Sequence, residues 1–148
     1  MGMSIERNDS GYEAFLLRRD VVYDFIDTAM QGAGNADRLR AVVALGKSGD
    51  PRAVRPLVDL LSDTDPEIRL SAITALGLLK SGRTVDDLLG RLRDRDEKMA
   101  IREQAAVALS AIRSTGAVRG LREFAADPDE EPALRAHAEK LLKGIVPW

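Results

Sequence analysis

The chain contains no cysteine, one histidine (His137), one tryptophan (Trp148) and only 4% aromatic residues. Without cysteine there are no disulfides, thiol nucleophiles or Cys-ligated zinc and iron–sulfur sites. That absence also fits a reducing compartment, so a cytoplasmic location is expected. A single imidazole cannot supply a cluster of metal ligands, and no Ser-His-Asp arrangement or Gly-rich phosphate loop stands out. The acidic stretch Asp127-Pro-Asp-Glu-Glu131 lacks the alternating ligand spacing of an EF-hand loop and reads as a solvated connection. No run of 18 apolar residues exists, which argues against a membrane span. The first residues, Met1 to Arg7, lack the apolar stretch of a secretory signal, and Glu6 stands where a myristoylation signal needs Ser or Thr. From these absences the expectation is a protein with no metal, no cofactor and no enzymatic role.

Charge is plentiful but balanced, with 22 basic against 24 acidic residues and a net charge of −2. Such a balance does not suit a protein that simply coats nucleic acid. Seventeen of the basic residues are arginine, whose planar fork suits bidentate contact with carboxylate or phosphate.

The dominant feature is an internal repeat, which must be recognised before any local reading. Arg38-Leu-Arg-Ala-Val-Val-Ala-Leu-Gly46 returns as Arg69-Leu-Ser-Ala-Ile-Thr-Ala-Leu-Gly77 and as Arg102-Glu-Gln-Ala-Ala-Val-Ala-Leu-Ser110. A looser copy is Arg135-Ala-His-Ala-Glu-Lys-Leu-Leu-Lys143, and the leading arginines lie 31, 33 and 33 residues apart. Each of the first three copies is followed, 16 residues after its arginine, by a second pattern. These patterns are Val54-x-x-Leu57-x-x-x-Leu61, Val85-x-x-Leu88-x-x-x-Leu92 and Val118-x-x-Leu121-x-x-x-Ala125. Spacing of i, i+3, i+7 is one face of an α-helix. The unit is therefore a pair of helices of fixed length, with a variable link to the next pair.

Local punctuation agrees. Asp50, Ser81 and Ser114 precede the second helices at equivalent positions, where a side-chain oxygen can cap free N–H groups. Asp65-Pro66-Glu67 reads as N-cap, first-turn proline and first-turn acid of a first helix, and Glu131-Pro132 is a weaker version. Val22-x-x-Phe25-x-x-x-Ala29 fits the second-helix template, with Ser10–Arg18 as its partner in a degenerate first repeat. The organisation expected is a disordered stretch 1–9, then a single domain 10–148. Within it lie repeats 10–35, 36–65, 66–99 and 100–132, and a half-repeat 133–148. The fold class is all-α, a right-handed α/α superhelical solenoid of helical hairpins.

The stretch Gly49-Asp-Pro-Arg-Ala-Val-Arg-Pro-Leu-Val-Asp-Leu-Leu-Ser-Asp63, with Asp65-Pro-Glu-Ile-Arg69 and Ala72-x-x-Ala-Leu-Gly77, resembles the HEAT-like repeats of the phycobilisome-lyase type. Such repeats are widespread in prokaryotic proteins. The resemblance implies second helices on a concave side that commonly binds a partner. The His-Glu pairs of HEAT-repeat metal hydroxylases are missing, since His137 is followed by Ala138. The likeness to HEAT-like DNA glycosylases, which use aromatic residues and a carboxylate on the concave face, also fails, since the only tryptophan is Trp148 at the extreme C-terminus. An accessory role related to phycobilin lyases is a further possibility that the resemblance raises.

If the second helices form that side, equivalent positions make columns. Arg52 and Arg83 share one, Tyr23, Arg55, Asp86 and Arg119 a second, and Val58, Leu89 and Arg122 a third. Guanidinium groups beside an apolar strip suit an acidic or amphipathic protein segment. Val58 and Leu89 read equally well as packing residues. Nucleic acid is the alternative partner of the same arginines, and self-association of the flank at the half-repeat is a third. The recurrent Asp63, Asp94 and Asp127 end second helices, and Arg69, Arg102 and Arg135 begin the next first helices. Together they read as a structural ladder of charge-assisted hydrogen bonds between repeats.

Overall fold

The computed structural model describes residues 21–145, and these form helices with no strand among them. The proposed disorder of 1–9, the Ser10–Arg18 helix and the last three residues lie outside the described range. Helix α1 covers 21–31. The first helices of the pairs are α2 (Asn35–Lys47), α4 (Pro66–Leu79), α6 (Met99–Ile112) and α8 (Pro132–Ile145). The second helices are α3 (Val54–Asp59), α5 (Val85–Arg93) and α7 (Thr115–Ala126). Single 3₁₀ turns flank α3 on both sides and precede α5.

The helix starts follow the expected chemistry with one exception. Asp65 accepts the Glu67 N–H at 2.9 Å, and Pro66 opens α4 where an N–H has no helical partner anyway. Asp50 accepts the Arg52 N–H at 2.9 Å, and Ser114 accepts the Ala117 N–H at 3.2 Å. Ser81 makes no such bond. In its place the buried Thr84 hydroxyl donates to the Ser81 carbonyl at 2.8 Å and closes the turn from inside.

First helices lie side by side, and each second helix packs on the first helix that follows it, α3 on α4, α5 on α6 and α7 on α8. The shared layer is filled by Leu45, Leu76 and Leu109 from first helices and Leu57, Leu88 and Leu121 from second helices, all fully buried. Each such side chain contributes about 1.5–3 kcal/mol relative to exposure. The small residues decide how closely first helices approach. A Cβ on Gly46 would lie 2.8 Å from Ala75 Cα, and one on Gly77 would lie 3.1 Å from Ala108 Cα. These glycines are contact points with the next repeat, inside their helices. Helix α2 ends on Ser48 in the right-handed conformation, whereas α4 and α6 end on Lys80 and Arg113, both left-handed with φ 53° and 59°.

The leading arginines form a ladder across the repeats, and of the three aspartates the sequence suggested only Asp63 serves as a forward carboxylate in it. Each leading arginine reaches back to a carbonyl at the end of the preceding second helix, or just beyond it. Arg38 Nε donates to the Ala29 carbonyl at 2.9 Å, Arg69 Nη1 to Asp63 at 2.8 Å, Arg102 Nε to Leu92 at 2.8 Å and Arg135 Nε to Ala125 at 3.2 Å. The same guanidinium also reaches forward to an acid in the following inter-repeat loop. Arg38 pairs with Asp63, and Arg69 grips Glu97 through two bonds of 2.8 and 2.9 Å. Arg102 donates to Glu130 at 3.0 Å, with both side chains almost fully buried. Asp94 and Asp127 are not the forward acceptors. Along with Asp63 they shape the loops, accepting the N–H two residues on from Asp65, Asp96 and Asp129 at 2.9 to 3.0 Å.

Candidate binding face on the second helices

The second helices present their polar sides away from the shared core, and the sequence columns divide there into three kinds of residue. Arg55, Arg83, Arg119 and Arg122 are exposed, and none of them makes an ion pair among the described residues. Their guanidinium groups are open to solvent on α3, the turn before α5, and α7. Acids interleave with them: Asp59, Asp86, Asp87 and Glu123 are all exposed. The face is mixed, with free arginine forks set among carboxylates.

Arg52 behaves differently. Its Nε donates to both oxygens of Asp50 at 3.0 and 3.2 Å, and its guanidinium lies 4.9 Å from the centre of the Tyr23 ring. The Asp50 carboxylate first, and Tyr23 second, hold the Arg52 proton more firmly than usual. In return the Arg52 bond holds Asp50 below the ordinary carboxylate range. Arg52 thus ties α1 to the turn before α3, and its fork is already occupied. Tyr23 remains 46% exposed and covers that tie.

Val58 and Leu89 are half-buried against the core. Leu89 sits directly on α7 at Gly120, where an added Cβ would fall 2.6 Å from its Cδ2. A leucine that fills the space above a glycine backbone is a packing residue. A Cβ on Gly116 would meet Val85 only at an ordinary contact of 3.7 Å, so it is Gly120 that admits α5 to the surface of α7. The sequence columns did not include Gly120, because they followed side chains and a glycine has none.

Chemistry beyond binding has few supports on this face. Among the described residues no group of three or more His, Cys, Asp or Glu side chains is placed to hold a metal ion. The buried Nε2 of His137 has no hydrogen-bond partner among them. One imidazole nitrogen without companion ligands is not a metal site.

The family model described as HEAT repeats matches residues 25–99 and 63–143. The chain belongs to the HEAT repeat family. It is similar to deoxyhypusine hydroxylase of Gallus gallus, 29% identical over 96 residues that make up 65% of this chain and 32% of that protein. Among solved structures it is similar to human deoxyhypusine hydroxylase in complex with glycerol, with a TM-score of 0.72 and 26% identity. That match covers 82% of this chain and 42% of the human one. The chain therefore spans less than half the length of either relative. These likenesses correct the expectation that the chain has no enzymatic role, because the proteins it resembles are an enzyme. They do not bring a metal site with them: the His-Glu pair is absent at His137-Ala138, and the described residues do not fit such an ion. No helix among the described residues is long and apolar enough to cross a membrane.

Proposed function

We propose that this HEAT array recognises an acidic segment of a partner protein on its second-helix face. The observation that carries this reading is the set of four exposed arginines, Arg55, Arg83, Arg119 and Arg122, on successive second-helix units and without ion pairs among the described residues. A guanidinium that is not committed inside the fold keeps its full donor fork for a carboxylate. The interleaved Asp59, Asp86, Asp87 and Glu123 favour a protein over nucleic acid, because a phosphate backbone would meet repulsion at each of them. The match to the HEAT repeat model supports the hairpin reading but adds nothing about a partner.

The test is fluorescence anisotropy with a labelled peptide of alternating Glu and Leu, beside a duplex DNA of equal charge. The peptide is expected to bind, and the combined variant R55E, R83E, R119E and R122E to lose at least about 10-fold in affinity. Equal binding by parent and variant would sink the reading. Tighter binding of DNA, with a steep loss on adding salt, would move the face to nucleic acid.

The similarity to deoxyhypusine hydroxylases favours a second reading, in which the chain takes part in hydroxylation as they do. Its test is separate. The purified chain would have to hydroxylate deoxyhypusine, which mass spectrometry of the product measures directly.

A further inference from the structure

At the ends of the first helices remote from the arginine ladder, a cleft of about 710 Å³ opens between α4, α6 and α8. That volume lies within the range of small-molecule sites. Among the described residues Lys80, Arg113, Lys140 and His137 line it beside Leu141 and Ile145, and no acid does. We propose that this cleft binds a phosphomonoester with an apolar body, its phosphate held by the three cations and His137.

Three observations converge on it. First, none of Lys80, Arg113 and Lys140 joins an ion pair among the described residues, although the protein as a whole is slightly acidic. Three uncompensated cations in one concavity repel each other, and a multiply charged anion relieves that repulsion. Second, the His137 Nε2 is buried and lacks a partner, a state that costs free energy unless a ligand or water supplies the bond. Third, Lys80 and Arg113 cap α4 and α6 in the left-handed conformation, at φ 53° and 59°. Glycine or asparagine is the usual residue there, because a Cβ is strained. Attraction to the negative end of the helix would be served equally by a cation in the last turn with ordinary dihedrals. The left-handed position instead puts two long cations, 33 residues apart in sequence, at one cleft.

A phosphate dianion is preferred to a carboxylate because its three terminal oxygens can satisfy several donors at once. Leu141 and Ile145 offer an apolar wall that inorganic phosphate would leave bare. The site is separate from the second-helix arginines and stands or falls without them.

The test is a nuclear magnetic resonance titration of the full chain with phenyl phosphate, inorganic phosphate and benzoate in turn. Saturable shifts are expected at the His137 ring and at the amides of 110–113 and 137–145, with phenyl phosphate the tightest of the three. The variant carrying K80G and R113G is expected to bind phenyl phosphate at least about 10-fold more weakly. Its melting temperature should be no lower than the parent's, since glycine removes the left-handed strain. A purely structural role for the two cations predicts no change in binding. Undiminished affinity in that variant, benzoate binding as tightly as phenyl phosphate, or shifts confined to the second-helix arginines would each overturn the proposal.

Discussion

A methyl group decides how closely two first helices can lie. At Gly46 an added Cβ would meet both Cα and Cβ of Ala75 at 2.8 Å, a separation that backbone atoms cannot tolerate without movement. At Gly77 the equivalent contacts with Ala108 are 3.1 Å, which a small shift can absorb. Replacing a helical glycine by alanine otherwise stabilises the helix by about 1 kcal/mol. Overpacking costs about 1–3 kcal/mol, so the two effects oppose each other. Gly46→Ala is therefore expected to lower stability by roughly 1–2 kcal/mol, whereas Gly77→Ala should lie within about 1 kcal/mol of the parent. Urea unfolding of the two variants checks this. Equal destabilisation, or a more stable Gly46→Ala protein, would show that α2 and α4 are free to separate.

The inter-repeat loops form a chain of their own, held by arginines that clasp the loop behind and the loop ahead. In the middle link, the two bonds from Arg69 first, then the Lys98 N–H, hold the Glu97 carboxyl below its usual range against the opposing effect of burial. Arg38 does the same for Asp63. A carboxyl whose folded pKa is depressed contributes stability that is complete above its unfolded value and lost as pH falls through the folded one. The ordinary glutamate value is about 4.3, so the link weakens below that point. Glu97→Gln should therefore melt lower than the parent at neutral pH, with the gap closing as pH falls below about 4. A gap that stays constant from neutral to acid would mean the carboxylate charge does not support the loop. The arginine end of each link was legible in the sequence because the repeat places it strictly. The acid end was legible only at Asp63, because the loops differ in length. Loop 63–65 has Asp63 at the position of the forward acceptor, whereas the longer loops 94–98 and 127–131 bring in Glu97 and Glu130 there. The 33-residue spacing of those two glutamates was the available signal. Among the second-helix residues, the exposure of Arg55, Arg83, Arg119 and Arg122 followed from helical periodicity. The capture of Arg52 by Asp50 did not, since it depends on a turn that folds a side chain back two residues.

On the scale of the molecule, each helical pair touches its neighbours and little else, so stability resembles a line of units coupled through shared interfaces. Helices α4 and α6 have a first helix packed on each side and keep Ile68, Ile73, Leu76, Ile101 and Leu109 almost wholly buried. At the two ends of the described array the burial is thinner. Val21, Tyr23 and Met30 of α1 are exposed, and Leu141, Leu142 and Ile145 of α8 are only partly covered. Native-state hydrogen exchange should consequently be slowest in α4 and α6 and faster in α1 and α8, through openings smaller than global unfolding. The coupling can be tested in the same measurement. Gly46→Ala weakens only the α2–α4 interface, so it should speed exchange in α2 by about 10-fold for each 1.4 kcal/mol lost. The α6 amides, one interface away, should change much less. If α2, α4 and α6 all accelerated by the same factor, the array would open as one cooperative block. The line-of-units description would then be wrong, even with every helix in its place.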